Sequence, residues 1–253
     1  MTLNRKKRWI ASLIGGTLMF LAFPFSGTLT PLIFIGIIPL LIVEASISEQ
    51  GKSSLNIFTH SLICFLVFNI GTSWWLWNAS AGGAIFAFLF NTVVMSLVFQ
   101  AFHITKKHVG SKQGYLSLPF YWLGFEYLHN HWEFAHPWLS LGNTFSERVS
   151  WIQWYEYTGV SGGSLWVILV NIIGYLVFRN WQNKKNLKPV VIIYLTSIII
   201  PIAVSLYIKA SFNNGQKPME SAKEIETLMI QPNIDPYNEK FDRGSFYKQN
   251  QKI

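Results

Sequence analysis

Seven separate apolar stretches, near residues 9–25, 32–47, 55–72, 84–104, 115–128, 163–179 and 189–208, limit the folds open to this chain. A hydrocarbon layer needs about 20 apolar residues per helix, within a range of roughly 17–25. Inside that layer every backbone polar group must find a partner, so single apolar runs cross it as helices. Composition agrees: 51% of the 253 residues are hydrophobic and only 13% are charged, too apolar for a soluble protein of this length. The sequence predicts an all-α polytopic membrane bundle of about seven transmembrane helices over 1–208. A linker over 209–224 and the start of a soluble α/β domain over 225–253 are expected to follow.

The fifth stretch is the weakest, being short and containing Pro119, Gly124 and Glu126. It reads as a half-helix or a re-entrant piece, which protein or water would have to cover. Charge tests the map independently. With a cytoplasmic N-terminus, that side holds twelve basic residues (Arg5, Lys6, Lys7, Arg8, Lys52, Lys106, Lys107, Lys112, Arg179, Lys184, Lys185 and Lys188), and the opposite segments hold Arg148 alone. That asymmetry follows the positive-inside rule, and it holds only if 115–128 crosses the membrane. Residues after Ile208 then lie outside the cytoplasm. The formal charge of +8 reports this topology and argues against a nucleic-acid partner, because the basic residues cluster between apolar runs and not along one face.

The first stretch follows Asn4-Arg-Lys-Lys-Arg8 as in a signal peptide, but no Ala-x-Ala site follows, so an uncleaved first helix is expected. Cys64, the single cysteine, lies inside the third stretch; it allows no disulfide framework and reads as packing. In the tail, 213–218 reads as linker, 225–234 as a buried strand ending near Pro232, and 235–241 as a loop leading into a helix.

Several residues are candidates for function. Trp74, Trp75 and Trp77 stand just beyond the third stretch, as an aromatic belt at headgroup depth would. The alternative is a mouth that handles lipid headgroups or acyl chains. Glu126 lies within a span, where an ionisable group is expected to face the bundle and be partnered; exposure at the interface is the other reading. His129, His131 and His136 with Glu133 and Glu156 invite a metal site. However, His129 and His131 are two apart and share no helix face, and no His-Glu-x-x-His spacing occurs. No metal or other cofactor is expected. Gly and Pro in 135–143 and 153–164 point to a tightly folded cap lying on the membrane.

In these segments the chain resembles the bacterial apolipoprotein N-acyltransferases. His136-Pro-Trp-Leu-Ser-Leu-Gly142, including Trp138 and Gly142, is similar to a Phe-Pro-Trp-Leu-x-x-Gly-like segment of that family. Tyr157-Thr-Gly-Val-Ser-Gly-Gly-Ser164 with Asn171 resembles its Tyr-x-Gly-Val-x-Gly-x-Ser-like helix start. Leu21-Ala-Phe-Pro-Phe25, the Trp74–Trp77 cluster, and Met229-Ile-Gln-Pro-Asn-Ile234 as the first strand of a nitrilase-like domain complete the likeness.

The resemblance implies acyl transfer from a membrane phospholipid to an enzyme cysteine, and from that thioester to the N-terminal diacylglyceryl-cysteine of a lipoprotein. It also implies a bacterial inner-membrane location. The family's Glu, Lys and Cys lie downstream of that first strand, so the chain is expected to be a C-terminally truncated membrane half, inactive alone and without catalytic residues. Cys64 cannot serve as the nucleophile, and Glu239, Lys240 and Lys248 match no catalytic motif. Trp74, Trp75, Trp77, Trp138 and Gly142 are expected to shape the lipid mouth, with Glu126 paired inside. The alternative is a non-enzymatic transporter or scaffold, which broken helices with polar groups at the midplane would support.

Overall fold

The computed structural model of the protein describes residues 2–24, 26–215, 226–231, 234 and 244–251. The chain divides into two compact units, 1–213 and 214–253. In the first, helix α1 (Arg5–Ala22) opens on Asn4, whose side-chain oxygen accepts from the Lys7 N–H at 2.9 Å, an N-cap. It stops at Ala22 because Phe23 precedes Pro24 and takes the extended conformation that a following proline favours.

The second apolar stretch is broken into α2 (Ile33–Gly36) and α3 (Ile38–Glu49), with Pro39 in the first turn of α3. An amide from elsewhere fills the break. Asn171 donates through Nδ2 to the Ile33 carbonyl at 2.8 Å, and its Oδ1 accepts from the Ile37 N–H at 2.8 Å. A side chain inserted into the backbone ladder is one of the recognised causes of a helix break.

Helix α4 (Leu55–Ser73) leads through the single turn α5 (Leu76–Ala79) to α6 (Ala81–Val109), which Ser80 caps by accepting from the Gly83 N–H at 3.2 Å. Gly110, at φ +87°, turns the chain directly into α7 (Ser111–His129). Helix α8 (Tyr155–Gln182) bends at Gly159 (φ 63°, ψ −171°), a conformation that is nearly confined to glycine. Helix α9 (Lys188–Gly215) follows.

Among the described residues, five segments are long and apolar enough to cross a membrane: Thr30–Glu49, Leu55–Ser73, Ala81–Val109, Tyr155–Gln182 and Lys188–Phe212. The protein is therefore a multi-pass helical membrane protein. Helices α1 and α7 occupy the other two expected positions, but the basic start of α1 and the polar residues and Pro119 of α7 dilute their apolar character. The half-helix or re-entrant expectation for 115–128 is corrected: α7 runs unbroken through Pro119.

Six segments close into a ring. Helix α1 packs on α4, α4 on α6, α6 on α7, α7 on α8, and α8 on α2 and α3, which return to α1. Small residues let α1 and α4 approach closely: a Cβ on Gly16 would run into the Cys64 carbonyl and the Val67 side chain, in the manner of membrane helix pairs. Met19, Phe65, Phe68, Phe99, Phe102 and Trp122 fill the centre, each with 1% exposure or less. Helix α9 lies outside the ring and is largely exposed. It is held by side chains, with Tyr194 donating to the Phe34 carbonyl and Trp166 to the Ser197 carbonyl.

In the second unit the described residues contain one helix, α10 (Ser245–Asn250), and no strand. Residues 226–231 were expected within a buried strand. They carry no regular structure, and Leu228 and Met229 are exposed; an extended segment gains ladder bonds only from a neighbouring strand. Residues 225, 232 and 233 of that expectation, 216–224 of the expected linker and 235–243 lie outside the described residues, and 209–215 continue α9 as helix.

Candidate functional site

Basic side chains gather where α1 starts and α6 and α8 end. At the opposite end, residues 130–154 fold into a cap of three 3₁₀ turns, Pro137–Leu139, Leu141–Phe145 and Val149–Trp151. The middle turn is the plug. Leu141 and Phe145 are fully buried, and the Phe145 ring stacks on Trp166 with centroids 4.9 Å apart.

Polar contacts pin the plug to two helices. Glu126 of α7, 5% exposed, accepts at Oε1 from the Leu141 N–H and from Trp122 Nε1, both at 2.9 Å. It therefore lies in the interior and not at the interface. The Gly142 N–H donates to Ser164 Oγ at 2.9 Å, and the Tyr155 hydroxyl donates to the Gly142 carbonyl at 2.9 Å. A Cβ at Gly142 would strike the Val160 carbonyl, so only glycine lets the plug lie this close to α8.

Beneath the cap is a cavity of about 560 Å³, within the range of roughly 300–1,000 Å³ usual for small-molecule sites. Its walls come from the end of α1 (Phe23, Pro24), the end of α4 (Thr72, Ser73, Trp74, Trp75) and the cap (Trp138, Leu139, Asn143, Ser146). These walls are apolar and aromatic with hydroxyls and one amide, and no charged side chain is among them. Such a lining suits hydrocarbon with a neutral polar junction.

His136 sits behind Ser73, with Nε2 at 3.4 Å from Ser73 Oγ. Burial, helped by neighbouring His129, lowers its pKa to about 4 from the usual 6.5 and keeps it neutral at physiological pH.

The structure thus brings Trp74, Trp75 and Trp138 together around one cavity. Trp77, on α5, is exposed and does not line it. Glu126 and Gly142 lie beneath the wall as its supports. The three histidines point to different partners: His129 Nδ1 accepts from Trp132 Nε1, His131 Nδ1 meets the Tyr127 carbonyl, and His136 meets Ser73. Among the described residues no three His, Cys, Asp or Glu side chains converge as a metal site requires.

The sequence reading gave no role to Ser164, Tyr155 and Asn143, although they lie in segments it marked as cap or motif, and it missed the wall residue Ser73. It also missed a buried ionic cluster at the basic end. There Glu44 of α3, fully buried, accepts from His103 Nδ1 at 2.8 Å and from Lys106 Nζ. Lys106 also lies 4.6 Å from the centre of the Tyr115 ring. The available signal was a carboxylate inside the apolar stretch 32–47.

A ring of apolar helices whose base-poor end holds a capped, aromatic-rimmed apolar cavity defines a multi-pass membrane protein with a lipophilic cleft. Comparison with known proteins agrees: the chain belongs to the family of the apolipoprotein N-acyltransferase N-terminal domain, which it matches over residues 15–173. It is 28% identical over 238 residues to the apolipoprotein N-acyltransferase of Chlorobaculum tepidum, covering 93% of this chain and 43% of that protein. To the apolipoprotein N-acyltransferase of Geobacter metallireducens it is 23% identical over 242 residues, covering 91% of this chain and 44% of that one. The chain thus spans less than half the length of these curated relatives. No solved structure matches it significantly. The family favours the acyltransferase reading over a transporter or scaffold.

Proposed function

We propose that this chain forms the membrane part of an apolipoprotein N-acyltransferase, and that its capped cavity receives an acyl chain of the phospholipid donor or of the diacylglyceryl lipoprotein acceptor. The observation that carries the reading is the cavity itself. Three segments distant in sequence, Phe23-Pro24, Thr72–Trp75 and Trp138–Ser146, meet to form it. Its apolar walls suit the chain, and the hydroxyls of Thr72, Ser73 and Ser146 suit the ester junction. In this reading the bundle crosses the bacterial inner membrane seven times, α1 and α7 included, with the N-terminus cytoplasmic and the cap outside. In this reading the residues that form the thioester belong to a nitrilase-like part downstream of the bundle, as the family resemblance implies.

A phospholipid carrying a diazirine near its ester end, incorporated with the protein into nanodiscs, tests this. Photolysis and peptide mapping should place adducts on 72–75 and 138–146, and Trp138→Ala should reduce them. Adducts spread evenly over lipid-facing α9, with none at the cavity, would refute the reading. The chain alone should transfer no acyl group to a lipoprotein peptide, and measurable transfer would contradict the assignment of the chemistry to the following part.

A further inference from the structure

Near the C-terminal end of α8 two stripes of side chains lie side by side. Gly174, Val177, Phe178 and Trp181, spaced i, i+3, i+4, i+7, border a wholly apolar groove of about 440 Å³ against Ile38 and Tyr194. One residue further round, Tyr175, Arg179, Gln182 and Asn183 line a polar crevice of about 100 Å³ whose far wall carries Glu49 of α3. Phe178 belongs to both, so groove and crevice adjoin.

The crevice offers one guanidinium, one carboxylate and two amides beside a hydrocarbon-lined channel, and the exposed Trp181 ring stands at the rim, as such rings do at headgroup depth. We propose that this pair of clefts binds one phosphatidylethanolamine-type glycerophospholipid from the leaflet at the basic end. Its phosphate lies on Arg179 and Asn183, its ammonium on Glu49, and one acyl chain in the groove along Val177 and Phe178.

Charge decides among headgroups. An anionic head would leave Glu49 facing like charge, and a quaternary ammonium has no N–H to donate to the carboxylate. A primary ammonium satisfies both walls. Glu49 and Gln182 already have partners in the fold, so the headgroup exchanges contacts and does not fill unmet ones. The site is separate from the capped cavity, because Ser164 and Phe178 are roughly 21 Å apart along α8 at 1.5 Å per residue. It stands independently of the acyltransferase reading.

Native mass spectrometry of the detergent-solubilised chain, titrated separately with dioleoyl phosphatidylethanolamine, phosphatidylcholine and phosphatidylglycerol, tests it. The wild type should retain one phosphatidylethanolamine about tenfold more tightly than either other lipid, the worth of one charge-assisted hydrogen bond. Glu49→Gln should abolish that ranking, and Val177→Phe, which fills the groove, should weaken all three lipids. Equal retention of the three lipids or a preference for phosphatidylglycerol, which the lysines at 184 and 185 could draw in, overturns the proposal. So does an ethanolamine preference unchanged in both variants, which would place the lipid in the capped cavity instead. If one variant is not monodisperse, the wild-type ranking and the other variant still decide.

Discussion

Replacing Glu126 with alanine should loosen the cap before it harms the bundle. Its Oε1 serves two buried donors, the Leu141 N–H and the Trp122 indole, each at 2.9 Å. Removing the acceptor strands both, and a buried donor left without a partner costs about 1–3 kcal/mol. Polar contacts between membrane helices average only about 0.6 kcal/mol in measured cycles, which pulls the sum for two donors toward its lower half. The expected loss for Glu126→Ala is therefore about 2–4 kcal/mol. Glu126→Gln keeps a carbonyl oxygen at the same reach and should lose less than about 1 kcal/mol. Unfolding by added dodecyl sulfate from mild detergent micelles, followed by circular dichroism, gives the difference, and limited proteolysis within 130–154 reports the cap separately. If the alanine variant unfolds within about 0.5 kcal/mol of wild type, the pinning argument fails. If glutamine is as damaging as alanine, the charge matters and not the acceptor.

Gly142→Ala should displace the plug from α8, because its methyl group would overlap the Val160 carbonyl. Overpacking of this kind costs about 1–3 kcal/mol, and the same unfolding assay measures it. For His136, the pKa of about 4 lies below the usual 6.5. Above about pH 6.5 both folded and unfolded states are neutral there and its burial is fully tolerated. As pH falls from 6.5 toward 4 the unfolded chain takes up a proton that the native one does not, and stability declines. Melting temperature should drop across that window, and His136→Phe should remove part of the drop; an unchanged profile would contradict the burial account. Glu44→Ala should cost about 3–5 kcal/mol, the usual loss when one partner of a buried ion pair is deleted. It leaves Lys106 almost fully buried without its carboxylate, and thermal unfolding in detergent reads it directly.

Helix positions were legible because the bilayer requirement acts on each segment separately. Helix α4 spans Leu55–Ser73 where the apolar run alone gave 55–72. The break at Ile37 was hidden, although Pro39 was in view, because it depends on Asn171 on another helix. The site divides in the same way. Trp74, Trp75 and Trp138 could be picked out as aromatic residues beside spans, but their meeting around one cavity depends on contacts at separations of 15 and 22 residues, Glu126 to Leu141 and Gly142 to Ser164. Trp77 shared the local signal but fell on the next short helix and does not line the cavity. Glu44 was overlooked because it sat inside an apolar run that already read as a span, and its partner Lys106 was counted as topology.

Asn171 has a consequence for the order in which the ring is assembled. It follows the backbone groups it joins by 134 and 138 residues, so during synthesis the α2–α3 segment is in place long before it. In the meantime the Ile33 carbonyl and the Ile37 N–H stand four apart and can close on each other as an ordinary helical bond. The arrival of α8 supplies the amide that joins them in the folded chain. The early half of the bundle is in this sense provisional: its second span takes its final shape only when the sixth is threaded beside it.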